Sequence, residues 1–141
     1  MMIPTRRSFL ITLLSIPWAG LAWAKSIRED KLAIAMGRET AGSPVSVSDR
    51  VKLDAPDIAE DGSIVPISIA SELPDTESIW VFVEKNPTPL AARFDLATSL
   101  EPFVSLRIKM NESCTVVALI KSGDEYFSAS KAVRVVLGGC G

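Results

Sequence analysis

The sequence predicts an all-β protein, a β-sandwich of about seven strands with a short N-terminal helix and a flexible C-terminal tail. From residue 51 onward, short runs rich in β-branched and aromatic residues alternate with turn-forming residues such as Gly, Pro, Asn and Asp. No run with helical periodicity separates these segments, which disfavours a parallel α/β sheet. The length of 141 residues suits one domain with a modest core.

Residues 1–24 are predicted to be an export signal that does not belong to the fold. Arg6 and Arg7 precede an apolar stretch that ends on an A-x-A cleavage pattern at residues 22–24. The paired arginines are typical of a twin-arginine signal, and an ordinary secretory signal with two basic residues is the open alternative. A membrane anchor is disfavoured because the apolar stretch is short and contains Pro17.

The mature protein is therefore expected to begin near Lys25 in the periplasm. Without the two signal arginines it carries an excess of about four acidic residues, which makes nucleic acid an unexpected partner. The chain contains no histidine, which excludes a Ser-His-Asp triad, a Cys-His pair and any histidine-based metal site. We therefore expect neither a catalytic residue nor a bound metal or cofactor.

Residues 25–49 are predicted to hold the helix and a linker. In the segment 26–37, apolar residues recur with roughly helical spacing, acidic residues come early, and Gly37 is a plausible stop. The segment Thr40 to Asp49 is rich in Ser, Gly and Pro and is expected to connect this helix to the sandwich.

The sandwich domain is predicted over residues 50–137. Its strands are expected at Val51–Leu53, Ser63–Ala70, Ile79–Glu84, Ala92–Leu96, Phe103–Met110, Thr115–Lys121 and Phe127–Leu137. In the run from Ile79 to Val83 both alternating sets of residues are apolar, as expected for a strand that is covered on both faces. One of those faces is a candidate contact for a partner protein.

Residues 138–141, GGCG, form a tail whose chemistry is unusual. Gly138 and Gly139 allow wide backbone freedom, and Gly141 adds no bulk beyond the thiol of Cys140, so the tip could enter a narrow channel. No cation near Cys140 in sequence stabilises a thiolate, and the carboxylate of Gly141 disfavours one. We therefore interpret Cys140 as a handle that is activated in the active site of another protein.

The role of Cys114 has two interpretations. In an oxidising compartment Cys114 could pair with Cys140 and tie down the tail. Alternatively, its place at the start of the apolar run 115–120 suits a buried cysteine that acts as a small hydrophobic residue. The disulfide framework of antibody domains does not fit, because both cysteines follow Trp80.

Several segments together resemble the SoxY family, the sulfur-carrier subunit of bacterial thiosulfate oxidation. They are APDIAEDGSIVPISI from Ala55, VEKNPTPLAARFDL from Val83, RIKM from Arg107 and the terminal GGCG from Gly138. The resemblance covers nearly the whole mature chain, and GGCG is its most diagnostic part. Two departures stand out: family members commonly end GGCGG, and Cys114 falls where no family cysteine is expected.

The resemblance implies an immunoglobulin-like sandwich that pairs with the SoxZ subunit and carries sulfur intermediates covalently. Cys140 would be the carrier residue, and Gly138, Gly139 and Gly141 would form its arm. The haem enzyme SoxAX would attach thiosulfate oxidatively, SoxB would release sulfate by hydrolysis, and a molybdenum-dependent sulfane dehydrogenase would oxidise the remaining sulfur. A twin-arginine signal would also suit a folded pair in which SoxZ has no signal of its own.

Two other functions are weighed against the carrier. A redox or copper-handling module would exchange disulfides or bind metal, yet the chain has no Cys-x-x-Cys and no histidine. A purely structural sandwich, whose terminal cysteine forms a disulfide, would tolerate deletion of residues 138–141. That deletion would separate the structural interpretation from the carrier.

Overall fold

The structure, a computed structural model, describes residues 31–136, in which two β-sheets pack face to face and a helix lies on one outer surface. The helix, α1, spans residues 31–40 of the described range. The strands are β1 (Val45–Val47), β2 (Val51–Asp54), β3 (Ile58–Ala59), β4 (Val65–Ser71), β5 (Thr76–Val83), β6 (Leu90–Asp95), β7 (Phe103–Ile108), β8 (Cys114–Ser122) and β9 (Glu125–Val135). The predicted signal at 1–24 and the arm at 138–141 lie outside the described residues.

The strand order confirms the predicted sandwich. The larger sheet has the order β1-β9-β8-β5-β6, with β3 also paired to β9, and the smaller sheet has the order β2-β4-β7. Each predicted strand is present within a few residues of its expected bounds. Two further strands, β1 and β3, are not among those predicted, and both pair with β9 in parallel.

The core lies between the sheets because their strands alternate apolar and polar side chains. In β5, however, all residues from Ile79 to Val83 are buried, as predicted for a strand covered on both faces. Ile79, Val81 and Val83 join the core between the sheets. Trp80 and Phe82 lie on the opposite face and pack with Val117, Leu119 and the helix residues Leu32, Ala35 and Met36. The cover on this part of the outer face is thus α1, and not the partner protein that the sequence suggested.

The expectation that α1 stops at Gly37 is wrong, because the helix continues to residue 40. Its end is set by Ala41, which adopts a left-handed conformation with φ of 52°. The amide of Gly42 then donates a hydrogen bond of 3.0 Å to the carbonyl of Gly37. This is the 6→1 hydrogen bond of a Schellman motif, which satisfies a carbonyl at the helix end that has no partner within the helix.

Replacement of Ala41 by glycine is expected to raise the free energy of unfolding by about 0.5–1 kcal/mol. A left-handed conformation is strained for a residue with a Cβ atom, and glycine removes that strain. Urea denaturation of the two proteins would measure the change. An unchanged or lower midpoint would mean that the gain is offset in the unfolded chain, where glycine has more freedom to lose.

A polar contact holds α1 against the larger sheet. The indole Nε1 of Trp80 donates a hydrogen bond of 2.8 Å to Glu39 Oε2, and Arg93 Nη1 lies 3.3 Å from the same oxygen. The guanidinium of Arg93 also lies 5.5 Å from the centroid of the Trp80 ring. The buried indole is therefore paired, and the register of α1 on the sheet is defined. Within residues 31–136, no helix has the length and apolar character to cross a membrane.

Candidate functional site: the root of the C-terminal arm

Strand β9 brings the chain to the point from which residues 137–141 continue. On one side its last residues pair with β3: the amide of Arg134 donates to the carbonyl of Asp57, and the amide of Val136 donates to the carbonyl of Ala59, each at 3.0 Å. Ala59 is buried against the core. The short strand β3 therefore holds the end of β9 where an edge strand would otherwise fray. We call the end of β9 and its immediate contacts the arm root.

On its other side the arm root is held by β8 and the residue before it. Val133 is the register partner of Cys114, the first residue of β8. Before β8 begins, the Ser113 side chain takes over as hydrogen-bond partner of β9. Its Oγ accepts a hydrogen bond from the amide of Val135 at 2.8 Å and donates one to the carbonyl of Val135 at 3.3 Å. Both backbone polar groups of a buried residue are thereby satisfied where the regular ladder ends.

A third contact comes from Gly62, in the turn between β3 and β4. A Cβ atom at this position would lie 2.6 Å from the carbonyl oxygen of Met110 and 2.8 Å from Cγ1 of Val135. The amide of Met110 also donates a hydrogen bond of 2.7 Å to the carbonyl of Gly62. Only a residue without a side chain allows the backbone at position 62 to pack this closely against Met110 and Val135 beneath the arm root.

These contacts hold the end of β9, from which the arm continues, in one position on the sandwich. Val133 and Val135 are buried in the core, and Val136 is the last residue that the structure describes. Cys140 follows four residues later. At ~3.3–3.6 Å per extended residue, its backbone lies within roughly 14 Å of Val136. The predicted carrier residue Cys140 and the arm residues Gly138, Gly139 and Gly141 lie outside the described residues and remain predictions.

Cys114 lies at the same end of the sheet as the arm root. Its side chain is half-buried and packs against the core between the sheets. Burial raises the pKa of the Cys114 thiol above its ordinary value, the nearby Glu84 and Glu112 carboxylates add to this, and a backbone hydrogen bond from Lys85 partly opposes it. At neutral pH the residue is therefore a protonated thiol and a poor nucleophile. Its predicted pairing with Cys140 involves a residue outside the described range and stays a prediction.

An open groove of about 490 Å³ runs beside the arm root. Cys114 is in its lining, together with the cationic side chains of Lys85 and Arg134 and the anionic side chains of Asp57 and Glu84. The equal number of opposite charges gives the groove no net attraction for an anion. Within residues 31–136, no group of three or more His, Cys, Asp or Glu side chains is arranged to hold a metal ion.

The residues that build the arm root are not among the predicted site residues. Ser113 and Gly62 lie in turns that carry no distinctive pattern, and β3 is only two residues long. The one available signal was the segment from Ala55, which contains β3 and Gly62 and belongs to the resemblance. The structure shows what this segment does: β3 and Gly62 both contact the end of β9.

The fold and the arm root define a class of protein: a two-sheet β-sandwich whose C-terminal peptide continues from a rigidly held strand end. A family model described as "Sulfur oxidation protein SoxY" matches residues 38–140. The chain is also 31% identical to the sulfur carrier protein SoxY from Chlorobium limicola f thiosulfatophilum, with a TM-score of 0.74 over 80% of this chain and 99% of that one. The chain belongs to the SoxY family of sulfur-carrier proteins.

More distant structures share the fold alone. A superoxide reductase (neelaredoxin) from Ignicoccus hospitalis is 16% identical, with a TM-score of 0.51 over 61% of this chain and 80% of that one. A single-substitution variant of the same reductase gives a TM-score of 0.54 over 74% and 91% of the two chains, again with 16% identity. The search of curated proteins found no match.

Proposed function

We propose that this protein is a periplasmic sulfur carrier that binds thiosulfate-derived sulfur covalently through Cys140. The arm of Gly138, Gly139 and Gly141 presents that cargo to the enzymes of the Sox system while the sandwich is paired with SoxZ. The observation that carries the proposal is the family match, which extends from residue 38 to Cys140 itself. It thus includes both the sandwich and the cysteine of the tail.

The geometry of the arm root supports this role. A carrier must present its cargo from a defined position, because each disordered residue lowers the local concentration of the thiol at a partner site. Here β3, Ser113 and Gly62 fix the chain up to Val136, and only three residues separate Val136 from Cys140. The chain is thus held in place to within four residues of the proposed carrier cysteine.

The chemistry requires partners because the chain offers Cys140 no base. Loading joins the Cys140 sulfur to the outer sulfur of thiosulfate, and this S–S bond forms with loss of the thiol proton and two electrons. SoxAX, through its haem, is the proposed acceptor of those electrons. SoxB then adds water to the terminal sulfur, which leaves as sulfate and two protons, while a persulfide remains on Cys140.

Cys114 is a poor competitor for this chemistry. Its raised pKa keeps it protonated at neutral pH, and its half-buried side chain packs against the core. A carrier with a second exposed thiolate would lose cargo by exchange between its own sulfurs. The burial of Cys114 is therefore compatible with a single loading point at Cys140.

Intact-mass spectrometry of the native complex tests the proposal. We expect sulfur-containing adducts on Cys140 of non-reduced protein purified from cells that oxidise thiosulfate, and we expect reductant to remove them. The complex incubated with SoxAX and thiosulfate should gain the mass of thiosulfuric acid less two hydrogen atoms. Protein that shows only a Cys114–Cys140 disulfide, with turnover intact, would contradict the proposal.

A further inference from the structure

We propose that Ile58 and Val136, with the acidic side chains beside them, form the docking surface for the enzymes that act on the arm. The partner we infer is a catalytic protein whose active-site channel opens between apolar and basic side chains. This inference rests on the proposed function, because it assumes that the arm enters foreign active sites. It adds the part of the sandwich that such an enzyme contacts.

Ile58 and Val136 form a small apolar surface at the arm root. In the parallel pair of β3 and β9, Ile58 is the register partner of Arg134, and Ala59 is the partner of Val135. Because side chains alternate along a strand, Ile58 and Val136 share the outer face with Arg134, while Ala59 and Val135 face the core. Ile58 is 56% exposed and Val136 is 48% exposed.

The helix does not cover this end of the outer face. The apolar side chains that pack with α1 are those around Trp80 and Phe82, on the adjacent strands β5 and β8. Ile58 and Val136 belong to neither buried cluster of the described residues. Two large apolar side chains thus stay in water next to the arm, where burial by a partner would be favourable.

Three acidic and two basic side chains lie beside this apolar pair, an excess of one negative charge. Asp57, Glu60 and Asp61 are exposed between β2 and β4. Lys131 lies 3.2 Å from Asp57 and offsets its charge, and Arg134 shares the outer face. Hydrogen bonds from Ser63 lower the pKa of the Asp61 carboxyl, which keeps it ionised. The turn with Glu60 and Asp61 therefore favours a partner with basic side chains at its rim.

The length of the arm requires that an enzyme come close to the arm root. Cys140 lies within roughly 14 Å of Val136 even when the intervening chain is fully extended. An active site at the bottom of a channel is reached only if the channel mouth comes close to the arm root. Exposed side chains at the arm root, such as Ile58 and Val136, would therefore lie near the channel mouth of each enzyme that acts on the cargo.

Replacement of Ile58 by glutamate tests the apolar part of the surface. With the mature chain paired with SoxZ as substrate of SoxAX, we expect Ile58→Glu to raise KM about tenfold and to leave kcat nearly unchanged, as for loss of a central interface side chain. The matched control is Val47→Glu. Val47 is 87% exposed, yet it pairs with Ser128, about 20 Å back along β9 from the arm root.

A second pair of variants tests the charge. Glu60→Lys should raise KM severalfold and weaken its dependence on salt, whereas Asp124→Lys, in the turn between β8 and β9 at the opposite end, should do neither. Labelling of Cys140 by iodoacetamide should be equal in all four variants, because a small reagent needs no docking. This readout separates docking from damage to the arm.

Three results would decide against the docking surface. The surface is excluded if Ile58→Glu has the same KM as Val47→Glu while Cys140→Ser is inactive. It is equally excluded if Ile58→Glu weakens association with SoxZ, because the face would then be the subunit interface. If Cys140→Ser remains active, the proposed function itself fails, and the docking surface fails with it.

Discussion

Replacement of Cys140 by serine is expected to reduce thiosulfate-dependent electron transfer by the reconstituted Sox proteins to the level seen without the carrier. A serine hydroxyl occupies nearly the same volume as the thiol, but its oxygen cannot form the S–S bond that holds the cargo. The arm, the arm root and the docking surface would all be intact in this variant. The loss would therefore report the covalent step alone, and cytochrome reduction by SoxAX would measure it.

The matched control is Cys114→Ser, the same change at the other cysteine. We expect it to retain turnover and to lose about 1 kcal/mol of stability, because a hydroxyl is less favourable than a thiol against the core. In the Cys140→Ser variant, alkylation of Cys114 should be slow at neutral pH and should accelerate as the pH rises, since its thiol pKa is raised. Loss of turnover in Cys114→Ser would instead indicate a functional exchange between the two sulfurs.

The sandwich could be predicted from sequence because its larger strands carry local patterns. The alternation around β4 and the continuous apolar run of β5 are properties of neighbouring residues, and both predicted strands are present. The two missed strands, β1 and β3, contain three and two residues. Each is a strand only because it pairs in parallel with distant β9, and such pairing leaves no periodicity in the short segment itself.

The element that buries the outer face of β5 could not be identified from the sequence. The apolar character of Trp80 and Phe82 correctly predicted that a second face is buried, but it could not identify what buries it. The answer depends on α1, whose Glu39 accepts the hydrogen bond from Trp80 Nε1 across 41 positions of sequence. Glycine commonly ends helices, which is why the sequence predicts a stop at Gly37, whereas Ala41 takes the left-handed position here.

For the arm, the functional cysteine could be predicted from the sequence, but the residues that hold the strand before it could not. The importance of Cys140 could be inferred from the residues around it and from the resemblance, although the structure does not describe it. The structure instead reveals what sequence could not: Ser113 and Gly62 hold the strand that leads to the arm. A serine and a glycine in turns have many roles, and only their contacts with Val135 distinguish these two.

Replacement of Gly62 by alanine is expected to lower the free energy of unfolding by about 1–3 kcal/mol, the usual cost of forcing an extra methyl group into a packed core. The new Cβ atom would meet Met110 O at 2.6 Å and Val135 Cγ1 at 2.8 Å. The Val135 methyl group could rotate, but Met110 O belongs to the backbone and is held by the hydrogen bond between Met110 and Gly62. Relief therefore requires one of the two chain segments to move.

Gly37→Ala is the matched control, because a Cβ atom there would have nothing within 4 Å. Gly37 lies inside α1, so this substitution should stabilise the protein by about 0.5–1 kcal/mol through helix propensity. The two identical substitutions should thus shift the urea midpoint in opposite directions. Because the Gly62 variant displaces Val135 or its neighbours, it should also accelerate amide hydrogen exchange at Val135 and Val136 relative to the middle of β9. Uniform exchange along β9 in that variant would mean that the arm root is held by β3 and Ser113 alone.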